Sequence, residues 1–194
     1  MAITDGELIK QFNNGNKDVF EELIQRYQDK VYNTTFRMLG NHEDAMDMAQ
    51  ETFIRVYRSL DNFKGNSSFS TWLFNITGNI CRDELRKRQR SLKTYSLSSD
   101  KNINADIPED TEQKNNPEKA SLSRELSITI QQKVDQLPGE QKIVFVLREF
   151  ENLSYQEIAD VLDISLGTVK SRLSRARRAL RKDFNKIIKN GGSE

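Results

Sequence analysis

Apolar residues along this chain recur three and four positions apart, the spacing of helices that bury one face, and hold no sustained alternation of the kind a half-buried strand requires. Leu8, Ile9 and Phe12 predict a first short helix behind Thr4 or Asp5 as its cap, ended by the turn Asn13-Asn14-Gly15-Asn16. Phe20, Leu23, Ile24, Tyr27, Val31, Phe36 and Leu39 predict a long amphipathic helix from Lys17 to about Leu39, which Gly40-Asn41 stops by supplying a positive φ. Ala45, Met48, Ala49, Phe53, Val56, Tyr57 and Leu60 form the apolar side of a third helix, from His42 to Leu60. A polar loop, Asp61 to Ser68, separates it from a fourth, Phe69 to about Arg90, with Trp72, Leu73, Ile76, Ile80 and Leu85 as its apolar positions.

The pattern then lapses. Residues 91–120 are dominated by Ser, Asn, Asp and Lys and interrupted by Pro108 and Pro117, which predicts a flexible linker. Helical spacing resumes near Leu122 and runs to Leu137, and Pro138-Gly139 turns the chain into a short buried helix, Glu140 to Phe150. The one β-like run, Val144-Phe145-Val146-Leu147, is outvoted by its helical neighbours. The expected architecture is all-α: two small helical domains, residues 1–90 and 121–190, joined by the linker, with a frayed tail after Asn190.

The stretch Leu153 to Lys182 reads as a helix, a tight turn and a second, basic helix. Ile158, Ala159 and Leu162 give the first helix its apolar side; Asp163-Ile164-Ser165 breaks it, and Ser165 or Thr168 can cap the second. Val169, Leu173, Ala176 and Leu180 make one stripe of that second helix, while Lys170, Ser171, Ser174, Arg175, Arg178 and Lys182 occupy the opposite face. Nine Lys/Arg stand against one acid between Ser165 and Lys189. A basic face alone is often merely solvated. One-sided charge, interleaved small residues and a preceding short helix after a sharp turn point instead to a helix-turn-helix that sets a recognition helix in a DNA major groove.

Composition narrows the rest. The 194 residues carry a net charge of only +1, so attraction to a polyanion is local: residues 121–194 are net +3 and residues 91–120 net −2. One cysteine, Cys81, excludes a disulfide framework and fits a cytoplasmic location. No apolar run approaches a membrane span, and MAITDGELIK lacks the layout of a signal peptide. One histidine and no phosphate-loop motif leave no basis for a metal centre, a nucleotide site or a small-molecule substrate; no cofactor and no catalytic activity are expected.

Two further groups carry candidate chemistry. Asp44, Asp47, Gln50 and Glu51 share a face of the third helix. The segment 61–90 couples Phe63, Phe69, Trp72 and Phe74 to a helix end rich in arginine, a combination suited to unpaired bases, which stack on aromatic rings while cations follow the phosphates. A core role competes for the rings, and Trp72, in line with Ile76, leans that way; the polar loop Lys64 to Ser70 is the better grip for an extruded base.

These residues resemble a known family. EDAMDMAQETFIRVYRSLDNF (43–63) and FSTWLFNITGNICRDELR (69–86) are similar to region 2 of a bacterial sigma factor, and residues 137–182 to region 4. The close spacing of the two, without a region 3 domain, resembles the extracytoplasmic-function (ECF) group of the sigma-70 family. The resemblance implies that Asp47, Gln50 and Glu51, matching D-x-x-Q-E, dock on the β′ clamp helices of core RNA polymerase, with the β subunit a further contact. It implies that Lys64, Gly65, Asn66, Ser67, Ser68, Phe69 and Ser70 capture a flipped base of the −10 element, with Trp72 and Asn79 beside them and Arg82, Arg86 and Arg88 along the backbone. Lys170, Ser171, Ser174 and Arg175 would face the −35 element, and Thr168, Arg172 and Arg178 its phosphates. The chain departs from the family pattern at Asn75, where arginine is frequent. Gly78 inside the helix costs about 1 kcal/mol against alanine.

The function implied is that of an alternative sigma factor that brings polymerase to a promoter and opens it. Each module alone buries too little to find one site in a genome, and two weak modules held by a third body gain effective concentration. A cognate anti-sigma factor covering both DNA-binding faces is implied by resemblance alone. The alternative is a stand-alone helix-turn-helix regulator with an N-terminal protein-interaction module.

Overall fold

A computed structural model of the chain describes residues 3–94 and 127–190, all of their regular structure helical. Helices α1, α3, α4, α7 and α8 each start at a side chain that accepts an orphan amide. Helix α1 (Asp5–Asn13) opens with a capping box: Thr4 Oγ accepts from the Glu7 amide, and Glu7 reaches back to the Thr4 amide at 2.7 Å. Those bonds hold the Glu7 carboxyl below its ordinary range. A 3-10 turn, Lys17–Val19, leads into α2 (Phe20–Leu39), which ends on Gly40 in the left-handed region at φ 68°. Asn41 caps α3 (His42–Ser59) by accepting from the Asp44 amide at 3.0 Å. After a second 3-10 turn, Leu60–Asn62, the Ser68 hydroxyl accepts from the Thr71 amide at 3.1 Å and starts α4 (Phe69–Thr94).

In the C-terminal part, α5 (residues 127–135) is followed by α6 (Gly139–Glu149), entered through Pro138. Helix α7 (Tyr155–Leu162) carries a second capping box, Ser154 with Glu157, and closes on Asp163 at φ 49°. Ser165, rather than Thr168, caps α8 (Leu166–Asn190), its hydroxyl accepting from the Thr168 amide at 3.1 Å. Helix α4 runs four residues past the expected limit at Arg90, since Ser91-Leu92-Lys93-Thr94 contains no breaker. The predicted linker from residue 95 on, the helix start near Leu122 and the tail after Asn190 lie outside the described residues.

The core begins among α1 to α4, where Phe12, Leu23, Val31, Met38, Val56, Leu60 and Leu73 are almost wholly buried, and continues without a gap into Ile143, Val144, Leu147, Ile158, Val161 and Leu173. A small satellite of Leu137, Ala176 and Leu180 lies under α8. The two halves therefore share apolar contacts, a feature the hydrophobic pattern does not disclose. Their junction is also polar. Gln131 Nε2 is 3.4 Å from the Arg37 carbonyl oxygen at the end of α2, and a Cβ at Gly40 would lie 2.6 Å from Asp135 Oδ1, so glycine serves both the positive φ and the approach of α5. Asp135 is in turn paired with the buried Lys142 at 3.0 Å.

Candidate nucleic-acid and polymerase interface

Three surfaces gather the candidate residues. On α3, Asp47 and Gln50 are exposed and Glu51 half-buried, Glu51 holding Arg55 one turn on at 2.7 Å. With Ile54 they form one wall of a shallow cavity of about 430 Å3, whose other wall is Ile80, Asp83, Glu84 and Lys87 of α4. Met46, 54% exposed, and Ile54, 37%, add apolar area beside the acids. Acceptors next to exposed aliphatic side chains suit contacts with cations and nonpolar surface.

The second surface is the loop 61–68 and the start of α4. Lys64, Gly65, Asn66, Ser67 and Ser68 are all exposed, and Gly65 adopts φ 72° with open space where a side chain would be. Ser68 is partly committed: besides capping α4, its hydroxyl lies 2.9 Å from the hydroxyls of both Ser70 and Thr71. Phe69 departs from the expected base contact. Its ring is buried, packed edge-on against Tyr27 at 5.3 Å and against Phe63 at 6.0 Å, so it supports the loop from behind. Phe74 is buried as well. Trp72 and Phe63 are both half-buried, their rings 5.3 Å apart. Tyr27 is itself anchored by donating to Asp5 at 2.5 Å; burial first, and that carboxylate second, push its phenol above the ordinary range.

Further along α4, the Asn79 amide donates to the Asn75 carbonyl at 3.1 Å. Arg82 donates to the Leu162 carbonyl at 2.6 Å, and Arg86 lies 3.4 Å from Glu140. Arg88 is a structural clasp: it donates to the Leu39 carbonyl at 3.1 Å and pairs with Glu84 and Asp44, tying α4 to the end of α2 and the start of α3. That placement removes Arg88 from the expected row of backbone contacts. Cys81, fully buried, has its thiol pushed up to about 12 by desolvation, and it packs in the core.

The third surface is α8. Val169, Leu173, Ala176 and Leu180 are buried, while Lys170, Ser171, Ser174, Arg175 and Arg178 lie exposed on the other side. Arg172 is drawn back to Glu140 at 2.6 Å, and the Thr168 hydroxyl is shared with Ser165 at 2.9 Å. Arg177, outside the expected set, pairs with Glu149 at 2.6 Å.

The acceptors that engage these cations, Glu140 and the Leu162 carbonyl, escape sequence reading, as does Glu157, which takes a hydrogen bond from Thr71 at 3.2 Å. The Ser154-x-x-Glu157 spacing marks a capping box, but no local pattern marks its reach to another helix. Among the described residues no group of three or more His, Cys, Asp or Glu could hold a metal ion, and no described helix is long and apolar enough to cross a membrane.

Residues 23–91 match the Sigma-70 region 2 family model, and residues 127–180 match that of Sigma-70, region 4. The chain is 41% identical over 188 residues to the ECF RNA polymerase sigma factor SigW of Bacillus subtilis, covering 92% of this chain and 96% of that one. It is 36% identical over 185 residues to the RNA polymerase sigma-H factor of Pseudomonas aeruginosa, covering 95% and 96%. Its fold is similar to CnrH, solved in complex with the cytosolic domain of CnrY, at 24% identity and a TM-score of 0.60 over 92% of this chain and 96% of that one. It is similar also to the sigma factor RpoE of Bartonella quintana, solved with the anti-sigma factor NepR, at 22% identity and a TM-score of 0.61 over 84% and 94%. With both regions matched in order, and relatives aligned over nearly their whole length, the chain belongs to the sigma-70 family of RNA polymerase sigma factors, in its ECF group.

Proposed function

We propose that the three surfaces act together in initiation, each with its own partner. The α3 face around Asp47, Gln50 and Glu51 docks on the β′ clamp helices of core RNA polymerase. The loop residues Lys64 to Ser68 and Ser70, with Trp72, Asn79, Arg82 and Arg86, receive an unpaired base of the −10 element and its backbone, and Phe69 supports them from behind. The exposed face of α8, Lys170, Ser171, Ser174 and Arg175, reads the −35 major groove, with Thr168, Arg172 and Arg178 on the phosphates. Arg88 is left out of this set because its partners are structural. The chain performs no catalysis of its own and works in the cytoplasm; melting is driven by capturing unstacked bases.

The observation that carries this reading is an exposed acidic and apolar face, a hydroxyl-rich loop and an exposed basic helix in one chain, on the two regions the family comparison matches. The similar RpoE, solved with the anti-sigma factor NepR, supports a cognate inhibitor for this chain as well. Full-length protein mixed with core polymerase and a promoter fragment should yield a stable complex that opens the DNA. Asp47→Ala or Gln50→Ala should abolish that complex while duplex binding by α8 persists. A stand-alone regulator would tolerate both substitutions.

A further inference from the structure

The loop between Leu60 and Phe69 is fastened at both ends by residues from far back in the chain. At its start, Lys17 Nζ lies 3.3 Å from Asp61 Oδ1 and 3.6 Å from the centroid of the Phe12 ring, which seats the cation on α1. At its end, the buried Phe69 ring packs edge-to-face with Tyr27 of α2 at 5.3 Å. Tyr27 is fixed in turn by α1: its hydroxyl donates to Asp5 Oδ2 at 2.5 Å, while Asp5 Oδ1 accepts from Arg26 at 3.0 Å. A carboxylate in the first turn of α1 suits the helix dipole without any partner. Here both of its oxygens also reach α2. Burial, and then Asp5, raise the Tyr27 phenol above its ordinary range, so it keeps its proton and remains a donor. Phe69 hands the position on, its ring 6.0 Å from both Phe63 and Trp72.

We propose that Asp5, Lys17 and Tyr27 are positioning residues for capture of the unpaired −10 base: they brace the two ends of the loop, so that it meets the base already shaped. The inference rests on the −10 role given under Proposed function. Asp5 and Lys17 precede the stretch matched to region 2, residues 23–91, so the brace draws on sequence outside that match.

The stretch between the fastenings has little of its own to select one shape. Lys64 to Ser68 are all exposed, and Gly65, at φ 72°, relaxes the backbone further. Ordering such a loop on arrival of a base would subtract conformational entropy from the energy that keeps the strand unpaired. Fixing Asp61 and Phe69 beforehand removes part of that loss. None of the three residues belongs to the α3 docking face or to α8, so the brace acts on opening and leaves polymerase docking and −35 duplex binding alone.

Full-length variants are assembled with core polymerase and given the duplex fragment that wild-type holoenzyme selects from a random-sequence pool; permanganate reactivity of its thymines reports opening. Tyr27→Phe keeps the ring and drops the hydroxyl, and Asp5→Ala drops the acceptor while Arg26 retains Glu22. Each should slow opening at saturating fragment roughly tenfold, with the half-saturating fragment concentration and the affinity for core polymerase unchanged. The double variant should be no slower than the slower single one, because both act through one hydrogen bond. A mere loss of folded protein would lower the amount of open complex and leave its rate unchanged. Trp72 is the sole tryptophan, so its fluorescence in the free chain reads the ring cluster directly, and both variants should increase its quenching by acrylamide. Lys17→Glu, which repels Asp61, should slow opening about twofold to threefold, as expected of an exposed pair; it carries the rate measurement if the other two fail to fold. Variants that open the fragment at the wild-type rate, or that lose polymerase binding in step with opening, overturn the brace. Wild-type holoenzyme that selects no fragment, or binds one without opening it, ends the −10 role itself and the brace with it.

Discussion

Helices α4 and α8 both present arginine and small polar side chains in the manner of nucleic-acid readers, yet their surroundings differ. On α8, Lys170, Arg175 and Arg178 are exposed and have no ion pair among the described residues. On α4, Arg82, Arg86 and Arg88 each have a protein acceptor. The comparison separates what a helix can bind from when it is able to. A cation already facing water costs only its hydration on meeting phosphate, whereas one holding a carbonyl or carboxylate must first release it.

The largest effect should come from the packing beneath the contact between the halves. Leu147 is fully buried under Gly78, and Leu147→Ala should cost about 2–5 kcal/mol in urea unfolding, since the lost side chain leaves a cavity. Next, the two helices should part company under alanine substitution. Arg82→Ala strands the Leu162 carbonyl and should lower stability by about 1–3 kcal/mol. Arg175→Ala should leave stability within about 0.5 kcal/mol while weakening −35 duplex binding by about 1–3 kcal/mol. Equal stability losses for the two would erase the contrast.

Smaller is the cap of α7. Ser154→Ala should cost about 1 kcal/mol by thermal melting, with α7 loosened against α4 through Glu157 and Thr71. The hydrogen bonds from Ser154 hold the Glu157 carboxyl below its ordinary value in the folded chain. Its stabilising contribution is therefore present above the unfolded carboxylate range and lost as pH falls through the depressed folded value. The melting difference between wild type and Glu157→Gln should shrink on acidification; a gap that widens would contradict the assignment. Smallest is the Arg86–Glu140 pair, worth at most about 1 kcal/mol and diminishing as salt is raised.

Much of this was legible in residue order. The apolar stripes foretold α1 to α4 and α6 to α8, because a helix that buries one face must repeat near 3.6 residues. Gly40 marked a stop, and the starts were narrowed to Thr4 or Asp5 and to Ser165 or Thr168, of which the structure takes Thr4 and Ser165, since caps act on their own backbone within three residues. Of the candidate site, the exposed face of α8 and the open loop 64–68 stand where the pattern put them. Phe69 and Arg88 do not. An aromatic ring at a helix start reads alike whether it faces a base or Tyr27, and an arginine near a helix end reads alike whether it seeks phosphate or the Leu39 carbonyl.

What residue order determined by itself was periodicity, capping and the one-sided charge of α8, all decided between residues a turn or two apart. What only the tertiary structure decided was who meets whom across long separations: Gly78 against Leu147 and Val161, Arg82 on Leu162, Glu140 between Arg86 and Arg172, and Lys142 buried on Asp135. The physical reason is that hydrogen bonds and ion pairs depend on distance and desolvation, and neither is set for two side chains until the helices carrying them have packed.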